Sequence, residues 1–242
     1  MKHALAADVG QARFALSDWN AISEQLDAFG YTVLDHALSG EECRILRSYY
    51  AKDDAFRRRV VMSRHGFGRG EYKYFAYPLP EIVAALRSAM YPPLAQIANR
   101  WNSALGLRSR YPDDHAEFLA RCHEAGQTKP TPLLLQYAQG DYNCLHKDLY
   151  GEHVFPLQAT FLLSEPERDF AGGEFILTEQ RPGMQSRAEI VPLALGSGVI
   201  FAVDARPVNG TRGTYRVNMR HGVSRLRSGN RHTLGIIFHD AE

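Results

Sequence analysis

The sequence predicts an α+β fold in which a mainly helical N-terminal region is followed by a two-sheet jelly roll. Two observations predict it. Apolar residues recur at helical spacing in the first half, whereas from Thr131 onward short β-rich segments are separated by Gly, Pro, Asn and Asp. Such a series of short strands suits a double-sheet jelly roll. We therefore divide the chain into residues 1–130 and 131–242. We expect the two parts to form one compact unit, with the helices packed on one sheet.

The helices of the first half are predicted from periodicity and capping residues. Ser39 and Glu42 have the spacing of a capping box, and Pro80 suits the first turn of a helix. Pro92 and Pro93 are expected to interrupt the helix that begins there. We predict helices over residues 17–29, from 39 onward, and over 80–90, 94–105 and 113–124, with a short strand over 31–34.

Strands dominate the second half, where β-forming residues alternate with turn residues. The eight candidates are residues 133–138, 145–148, 155–163, 174–178, 189–193, 199–203, 215–221 and 232–239.

The composition is that of a globular protein with an ordinary core. Of 242 residues, 45% are hydrophobic, and the net charge of +1 argues against an extended basic surface. Three scattered cysteines fit a reducing compartment rather than a disulfide framework. We find no pattern of a signal peptide or a membrane span. We expect a cytoplasmic protein with no membrane association and no obligate protein partner.

Residues 56–77 combine cationic and aromatic side chains, broken by glycines. Cations beside stacking rings are what a single-stranded or flipped nucleotide requires. Two interpretations stay open, a substrate lid or a solvated loop whose aromatic rings pack on the core. On the first interpretation, the candidate substrate-binding residues are Arg64, Arg69, Tyr72 and Tyr74.

His146 and Asp148 are candidate metal ligands. They lie two residues apart in a β-rich segment, and on a strand such side chains share one face about 7 Å apart. His221 supplies a third candidate. Two histidines and one carboxylate form the facial triad that favours non-haem Fe(II) and leaves coordination positions open. A His-x-Asp pair alone arises readily by chance, so a surface salt bridge is the alternative for the pair by itself.

The order of motifs around these residues is similar to that of a known enzyme superfamily. His-x-Asp is followed by Gly-Gly-Glu-Phe at 172–175, a Gly-Ser-Gly turn, His221 and Arg231. This order resembles the Fe(II)- and 2-oxoglutarate-dependent dioxygenases, whose core is a double-stranded β-helix (jelly-roll, cupin-like). Further segments, at 56–62, 70–75, 143–152 and 218–225, resemble a prokaryotic 2-oxoglutarate–Fe(II) oxygenase family described as acting on damaged, alkylated nucleic acid.

The resemblance implies Fe(II), 2-oxoglutarate and O2 as cofactor and co-substrates, with His146, Asp148 and His221 as metal ligands. Arg231 would bind the far carboxylate of 2-oxoglutarate, because a guanidinium stays charged when buried. Thr233 would share the face of Arg231 and could donate a hydrogen bond from its hydroxyl, and Tyr137 would hydrogen-bond the same co-substrate. The alternative for Tyr137 is a core tyrosine whose hydroxyl is bonded within the protein. The reaction would hydroxylate the substrate or demethylate it oxidatively, with release of succinate and CO2.

The substrate stays open at this stage. Demethylases of the AlkB type carry a second arginine six residues after the co-substrate arginine, and this chain has Ile237 there. The alternatives to alkylated or single-stranded nucleic acid are a protein side chain or a small metabolite, as in prolyl hydroxylases. A non-catalytic binding module is a further alternative. We interpret the remaining histidines of the second half, His153, His232 and His239, as structural.

Overall fold

The computed structural model describes Phe14 and residues 17–242. The described helices are α1 (Trp19–Phe29), α2 (Gly40–Ser48), α3 (Glu81–Ala104) and α4 (His115–Glu124). The described strands are β1 (Tyr31–Leu34), β2 (Phe56–Val61), β3 (Gly68–Arg69), β4 (Glu71–Phe75), β5 (Leu133–Ala138), β6 (Tyr142–His146), β7 (Leu157–Leu162), β8 (Phe170–Gly172), β9 (Phe175–Gln180), β10 (Arg187–Val191), β11 (Gly198–Ala202), β12 (Ala205–Gly210), β13 (Gly213–Val223) and β14 (Leu226–Ile236).

Within these residues the strands form two mainly antiparallel sheets. The larger sheet has the order β1-β11-β7-β14-β5-β4-β2, with β8 paired to β14. The smaller sheet has the order β10-β9-β13-β6-β3, with β12 paired to β13. The alternation of sheets along the chain is that of a jelly roll, in which side chains from the two inner faces meet.

The helices cover the outer face of the larger sheet. Met90 and Leu94 of α3 belong to one buried cluster with Ile200 of β11 and Leu234 of β14. The capping box at Ser39 and Glu42 is present at the start of α2. None of the helices in the described residues combines the length and the apolar character that crossing a membrane requires.

One helix prediction was wrong. Pro92 and Pro93 lie inside the single helix α3 instead of separating two helices. Two prolines remove two backbone donors from the helix. Their neighbours Met90, Tyr91 and Leu94 are fully buried, and this packing outweighs the lost hydrogen bonds.

The segment over residues 56–77, which is rich in cationic and aromatic side chains, forms mainly strands rather than a loop. β4 pairs with β5, so that Tyr72 lies opposite Leu135, and β2 pairs with β4 at the edge of the larger sheet. This segment therefore extends the sheet, and the region before residue 131 is less helical than expected. Strands β8 and β12 were also not predicted, since β8 has only three residues and β12 contains a proline and ends in Asn-Gly. The division of the chain at residue 131 stays a prediction.

A buried ion pair joins α3 to the segment after β14. The Arg87 guanidinium donates to Asp240 Oδ1 (2.8 Å) and to the Ile237 carbonyl (2.8 Å), and both charged side chains are almost fully buried. Asp240 also accepts from the Tyr77 hydroxyl (2.9 Å) and lies 2.8 Å from His123 Nε2. Nearly every polar atom of this pair therefore has a partner, as burial of a charge requires.

We expect Arg87→Met to lower the free energy of unfolding by about 3–5 kcal/mol, because it leaves the buried Asp240 carboxylate without its cation. Urea unfolding followed by circular dichroism measures the change. Arg44→Met, which removes an exposed ion pair with Glu41, is the matched control and should change stability little. A loss for the Arg87 variant no larger than that of the control would contradict this account.

Candidate functional site

Two of the candidate ligands are cross-strand partners in the smaller sheet. His221 of β13 lies opposite His146 of β6, and the centroids of their imidazole rings are 4.2 Å apart. The two strands approach closely here because the next residue is Gly222, where a Cβ atom would lie 2.7 Å from the Asn143 carbonyl oxygen. The pairing register shifts between His221 and Val223.

Asp148 completes the group from just beyond the end of β6. Its Oδ1 lies 3.5 Å from His146 Nε2, and its Oδ2 lies 3.3 Å from His221 Nε2. One ligand atom from each of the three residues lies within 4.8 Å of the other two. The three side chains that the sequence suggested therefore converge, with His221 and Asp148 buried.

The charges of the group are coupled. Burial alone would raise the pKa of Asp148, but hydrogen bonds and charge from His146 and His221 outweigh it and bring the pKa well below the usual range. Burial and the neighbouring His146 lower the pKa of His221. The carboxylate is thus ionised and His221 favours the neutral form, which are the protonation states that bind metal.

The orientation of the His146 ring also suits a ligand. Its Nδ1 lies 2.8 Å from the Cys144 carbonyl oxygen, which can only accept a hydrogen bond. Nδ1 therefore carries a proton, and Nε2, which faces Asp148, is the nitrogen that would bind a metal after losing its own proton. The rings of Phe175 and Phe201 pack against His221, with centroid distances of 6.1 and 4.6 Å, and restrict its rotation.

Arg231 of β14 faces the same cavity from the larger sheet. It is 2% exposed, yet its Nε and Nη1 atoms have no hydrogen-bond partner among the residues that the structure describes. Its guanidinium carbon lies 5.7 Å from the ring centroid of Tyr137. Burial lowers the pKa of Arg231 to about 10, so the group is still a cation at neutral pH. A buried cation with free donors requires an anion.

Gly173 is the second glycine of the Gly-Gly-Glu-Phe motif, and its surroundings explain why this position is a glycine. Its φ is +64°, and a Cβ atom there would lie 2.5 Å from Leu226 Cδ1 and 3.0 Å from Arg231 Cδ. Only glycine leaves room for the Arg231 stem to pass at this point.

The cavity between the sheets has a volume of about 300 Å³. It is lined by all three candidate ligands and by Tyr137, Thr233 and Arg231. Of the candidate substrate residues, Tyr72 and Tyr74 line it. Arg69 instead pairs with Asp141 (3.2 Å), and Arg64 is exposed in a 3₁₀ turn outside it.

Further lining residues were not among the candidate site residues chosen from the sequence, namely Phe67, Lys147, Tyr150 and Gln158. The position of Lys147 between two candidate ligands in the sequence could have indicated that it lies at the site. Its ammonium group pairs with Asp204. Tyr150 follows two residues after Asp148 and donates a hydrogen bond to its Oδ1 (2.7 Å). Nothing in the local sequence indicates that Gln158 lines the cavity, because its place there depends on the pairing of β7 with β11.

The other histidines have structural surroundings. His239 Nδ1 accepts from the Phe155 backbone N–H (3.2 Å), and the His232 ring packs edge-on against Tyr50. The His153 backbone N–H donates to Gln127 Oε1 (2.7 Å). None of these three belongs to a group of potential metal ligands within the described part of the chain.

Residues 70–241 match the model of an oxygenase family, Oxygenase-NA, described as catalysing oxidative methylation of damaged DNA. The chain belongs to this oxygenase family. It is 46% identical over 193 residues to an uncharacterised protein of Mycobacterium tuberculosis strain ATCC 25618 / H37Rv, a match that covers 77% of this chain and 83% of the relative.

Two solved structures share the fold. A Pseudomonas putida prolyl-4-hydroxylase superposes with a TM-score of 0.53 at 15% identity, over 93% of this chain and 99% of the other. A Burkholderia pseudomallei oxidoreductase of the 2-oxoglutarate–Fe(II) oxygenase family gives a TM-score of 0.55 at 14% identity, over 93% and 94%. The predicted jelly-roll fold is confirmed. The prediction that the protein is an oxygenase is confirmed as well.

If Arg231 binds 2-oxoglutarate, as the sequence resemblance implies, we expect Gly173→Ala to weaken that binding, because the added methyl group displaces the Arg231 stem. The overpacking should also lower the free energy of unfolding by about 1–3 kcal/mol. Gly183→Ala is the matched control, since Gly183 has a similar φ of +72° but no described atom lies within 4 Å of a Cβ placed there. Calorimetric titration and urea unfolding check both effects, and equal behaviour of the two variants would refute this role of Gly173.

Proposed function

We propose that His146, Asp148 and His221 bind Fe(II), and that Arg231, with Tyr137 and Thr233, binds the far carboxylate of 2-oxoglutarate. The observation that carries this proposal is the buried Arg231 guanidinium with unpartnered donors, counted within the described residues, on the wall of the cavity that the His-Asp-His group also lines. The Tyr137 hydroxyl supports it, because it too is buried without a hydrogen-bond partner in that part of the chain.

The bound iron with 2-oxoglutarate and O2 supplies the oxidising chemistry, with succinate and CO2 as co-products. The residues of this chain contribute binding, orientation and exclusion of water. Arg231 and the two hydroxyl groups fix one end of the co-substrate. The apolar walls formed by Phe175, Leu133 and Leu135 keep bulk water from the reacting atoms.

We propose damaged, alkylated nucleic acid as the substrate, in a cytoplasmic protein. The description of the family supports this substrate. An aromatic wall supports it too, because the rings of Phe67, Tyr72 and Tyr74 line the cavity beside the candidate ligands and offer faces on which a base can stack. Arg64 and Arg69 would contact phosphate groups outside the cavity. Oxidation of an N-methyl group to hydroxymethyl would release formaldehyde and the unmodified base.

A second candidate substrate is a peptide side chain, as in prolyl hydroxylation. Two observations favour it. A prolyl-4-hydroxylase has the same fold, and Ile237 stands where AlkB-type demethylases carry a second arginine. Ile237 packs with Val60 and Tyr74 in a small apolar cluster instead of contributing a cation.

We expect His146→Ala to abolish tight Fe(II) binding and to stop 2-oxoglutarate consumption, because two ligands remain where three are needed. Anaerobic calorimetry with Fe(II) and a succinate assay measure the two effects. His153→Ala is the control, since this histidine lies on the same segment outside the group. Unchanged Fe(II) affinity in the His146 variant would overturn the assignment.

A substrate panel distinguishes the two candidates. We expect succinate formation to rise above the uncoupled rate with single-stranded oligonucleotides that carry N-methylated bases. The same oligonucleotides without methyl groups, and a proline-rich peptide, should leave the rate unchanged. Stimulation by the peptide alone would replace nucleic acid with a protein side chain as the substrate. Formaldehyde release measured in parallel separates demethylation from stable hydroxylation.

A further inference from the structure

We propose that Tyr150 is a positioning residue that limits Asp148 to one bond with the metal. By holding one carboxylate oxygen, the Tyr150 hydroxyl would keep open the coordination positions that 2-oxoglutarate requires. This inference rests on the proposed function, and it concerns a residue outside the His-Asp-His group.

The geometry of Asp148 would by itself allow either one or both of its oxygens to bind the metal. Both of its oxygens face an imidazole of the group, with Oδ1 3.5 Å from His146 Nε2 and Oδ2 3.3 Å from His221 Nε2. A carboxylate in this position can bind a cation through one oxygen or through both. Since 2-oxoglutarate chelates through two atoms, a second bond from Asp148 would compete with it.

The Tyr150 hydroxyl bonds one of the two carboxylate oxygens of Asp148 and thereby makes them different. Its hydroxyl lies 2.7 Å from Oδ1 of Asp148, a short distance typical of a hydrogen bond to an ionised acceptor. An oxygen that accepts this bond donates less electron density to a cation and is held in place. Oδ2 instead faces His221 Nε2 (3.3 Å), which is itself a candidate ligand atom, so Oδ2 is the oxygen that remains available to the metal.

Tyr74 sets the direction of the Tyr150 proton. The Tyr74 hydroxyl donates to the Tyr150 hydroxyl oxygen (3.1 Å). A hydroxyl group has a single hydrogen, so a Tyr150 oxygen that accepts from Tyr74 directs its own hydrogen to Asp148. The Tyr74 side chain is in turn fixed by packing, because it is 7% exposed and the Arg57 guanidinium carbon lies 4.5 Å from its ring centroid.

The backbone around Tyr150 is anchored independently of the candidate ligands. The fully buried Gln127 donates from Nε2 to the Tyr150 carbonyl (3.0 Å) and the Asp240 carbonyl (2.6 Å), and its Oε1 accepts from the His153 backbone N–H (2.7 Å). Gly151, with a φ of +84°, lies against the Gln127 side chain, where a Cβ would be 2.4 Å from Cδ. The backbone that carries Tyr150 is therefore held in position before any metal binds.

The experiment compares Tyr150→Phe with the unsubstituted protein under anaerobic conditions. Calorimetry with Fe(II) gives the affinity for the metal. Titration of the Fe(II)-loaded protein with 2-oxoglutarate, followed by the charge-transfer absorption of the chelate, gives the affinity for the co-substrate. We expect Tyr150→Phe to keep its affinity for Fe(II) and to raise the dissociation constant of 2-oxoglutarate about tenfold or more, with a weakened or shifted absorption band.

Tyr111→Phe is the matched control. Its hydroxyl donates to the Val154 carbonyl (2.7 Å), so the variant also removes one tyrosine hydrogen bond to the segment after Asp148 without touching the carboxylate. We expect both titrations of this variant to match those of the unsubstituted protein. Tyr74→Phe should have an effect in the same direction as Tyr150→Phe but smaller, because the Tyr150 hydroxyl remains with its proton less strictly directed.

Three results would overturn the inference. One is an unchanged 2-oxoglutarate affinity in Tyr150→Phe, and another is an equal loss in Tyr111→Phe. The third is a loss of Fe(II) affinity with 2-oxoglutarate binding intact, which would make Tyr150 a general support of the ligand. If the unsubstituted protein itself forms no absorbing chelate with Fe(II) and 2-oxoglutarate, the proposed function fails instead. Circular dichroism spectra of the variants confirm that each one is folded.

Discussion

The antiparallel pairing of β6 with β13 is the constraint on which the site depends. It makes His146 and His221 cross-strand partners, and the absence of a side chain at Gly222 lets the strands approach closely enough for their rings to meet. A slip of one residue would turn one imidazole to the opposite face of the sheet. The strand ends at His146, and the departing chain returns Asp148 to both rings.

Two buried arginines show how the same side chain serves stability in one place and binding in another. Arg87 has an ion pair with Asp240 and further hydrogen bonds to a carbonyl and a hydroxyl, so its burial is compensated within the fold. Arg231 is equally buried, but its Nε and Nη1 atoms have no partner in the described chain. Because an uncompensated buried cation is costly, its retention beside a cavity indicates an anionic ligand.

Strand β4, the second strand from the edge of the larger sheet, connects the cavity wall to the candidate ligands. Tyr72 and Tyr74 of β4 line the cavity, and Tyr74 reaches Asp148 through the Tyr150 hydroxyl. Lys73 points to the other face, where its ammonium group bonds Asp53 (2.7 Å) and lies 4.7 Å from the Tyr50 ring centroid.

Local sequence patterns were sufficient to predict several elements of this protein. Strand β5, the capping box of α2 and the His146–Asp148 pair were predicted, because alternation, capping and ligand spacing are properties of nearby residues, whereas the role of His221 followed from an order of motifs that resembles a known superfamily. Only tertiary structure decided the rest. The burial of α3 overrode its two prolines, sheet pairing made strands of residues 56–61 and 71–75, and the pairing of β7 with β11 placed Gln158 in the cavity with the candidate ligands. These outcomes depend on contacts between residues far apart in the chain. Such contacts cannot be inferred from the periodicity and spacing of the sequence.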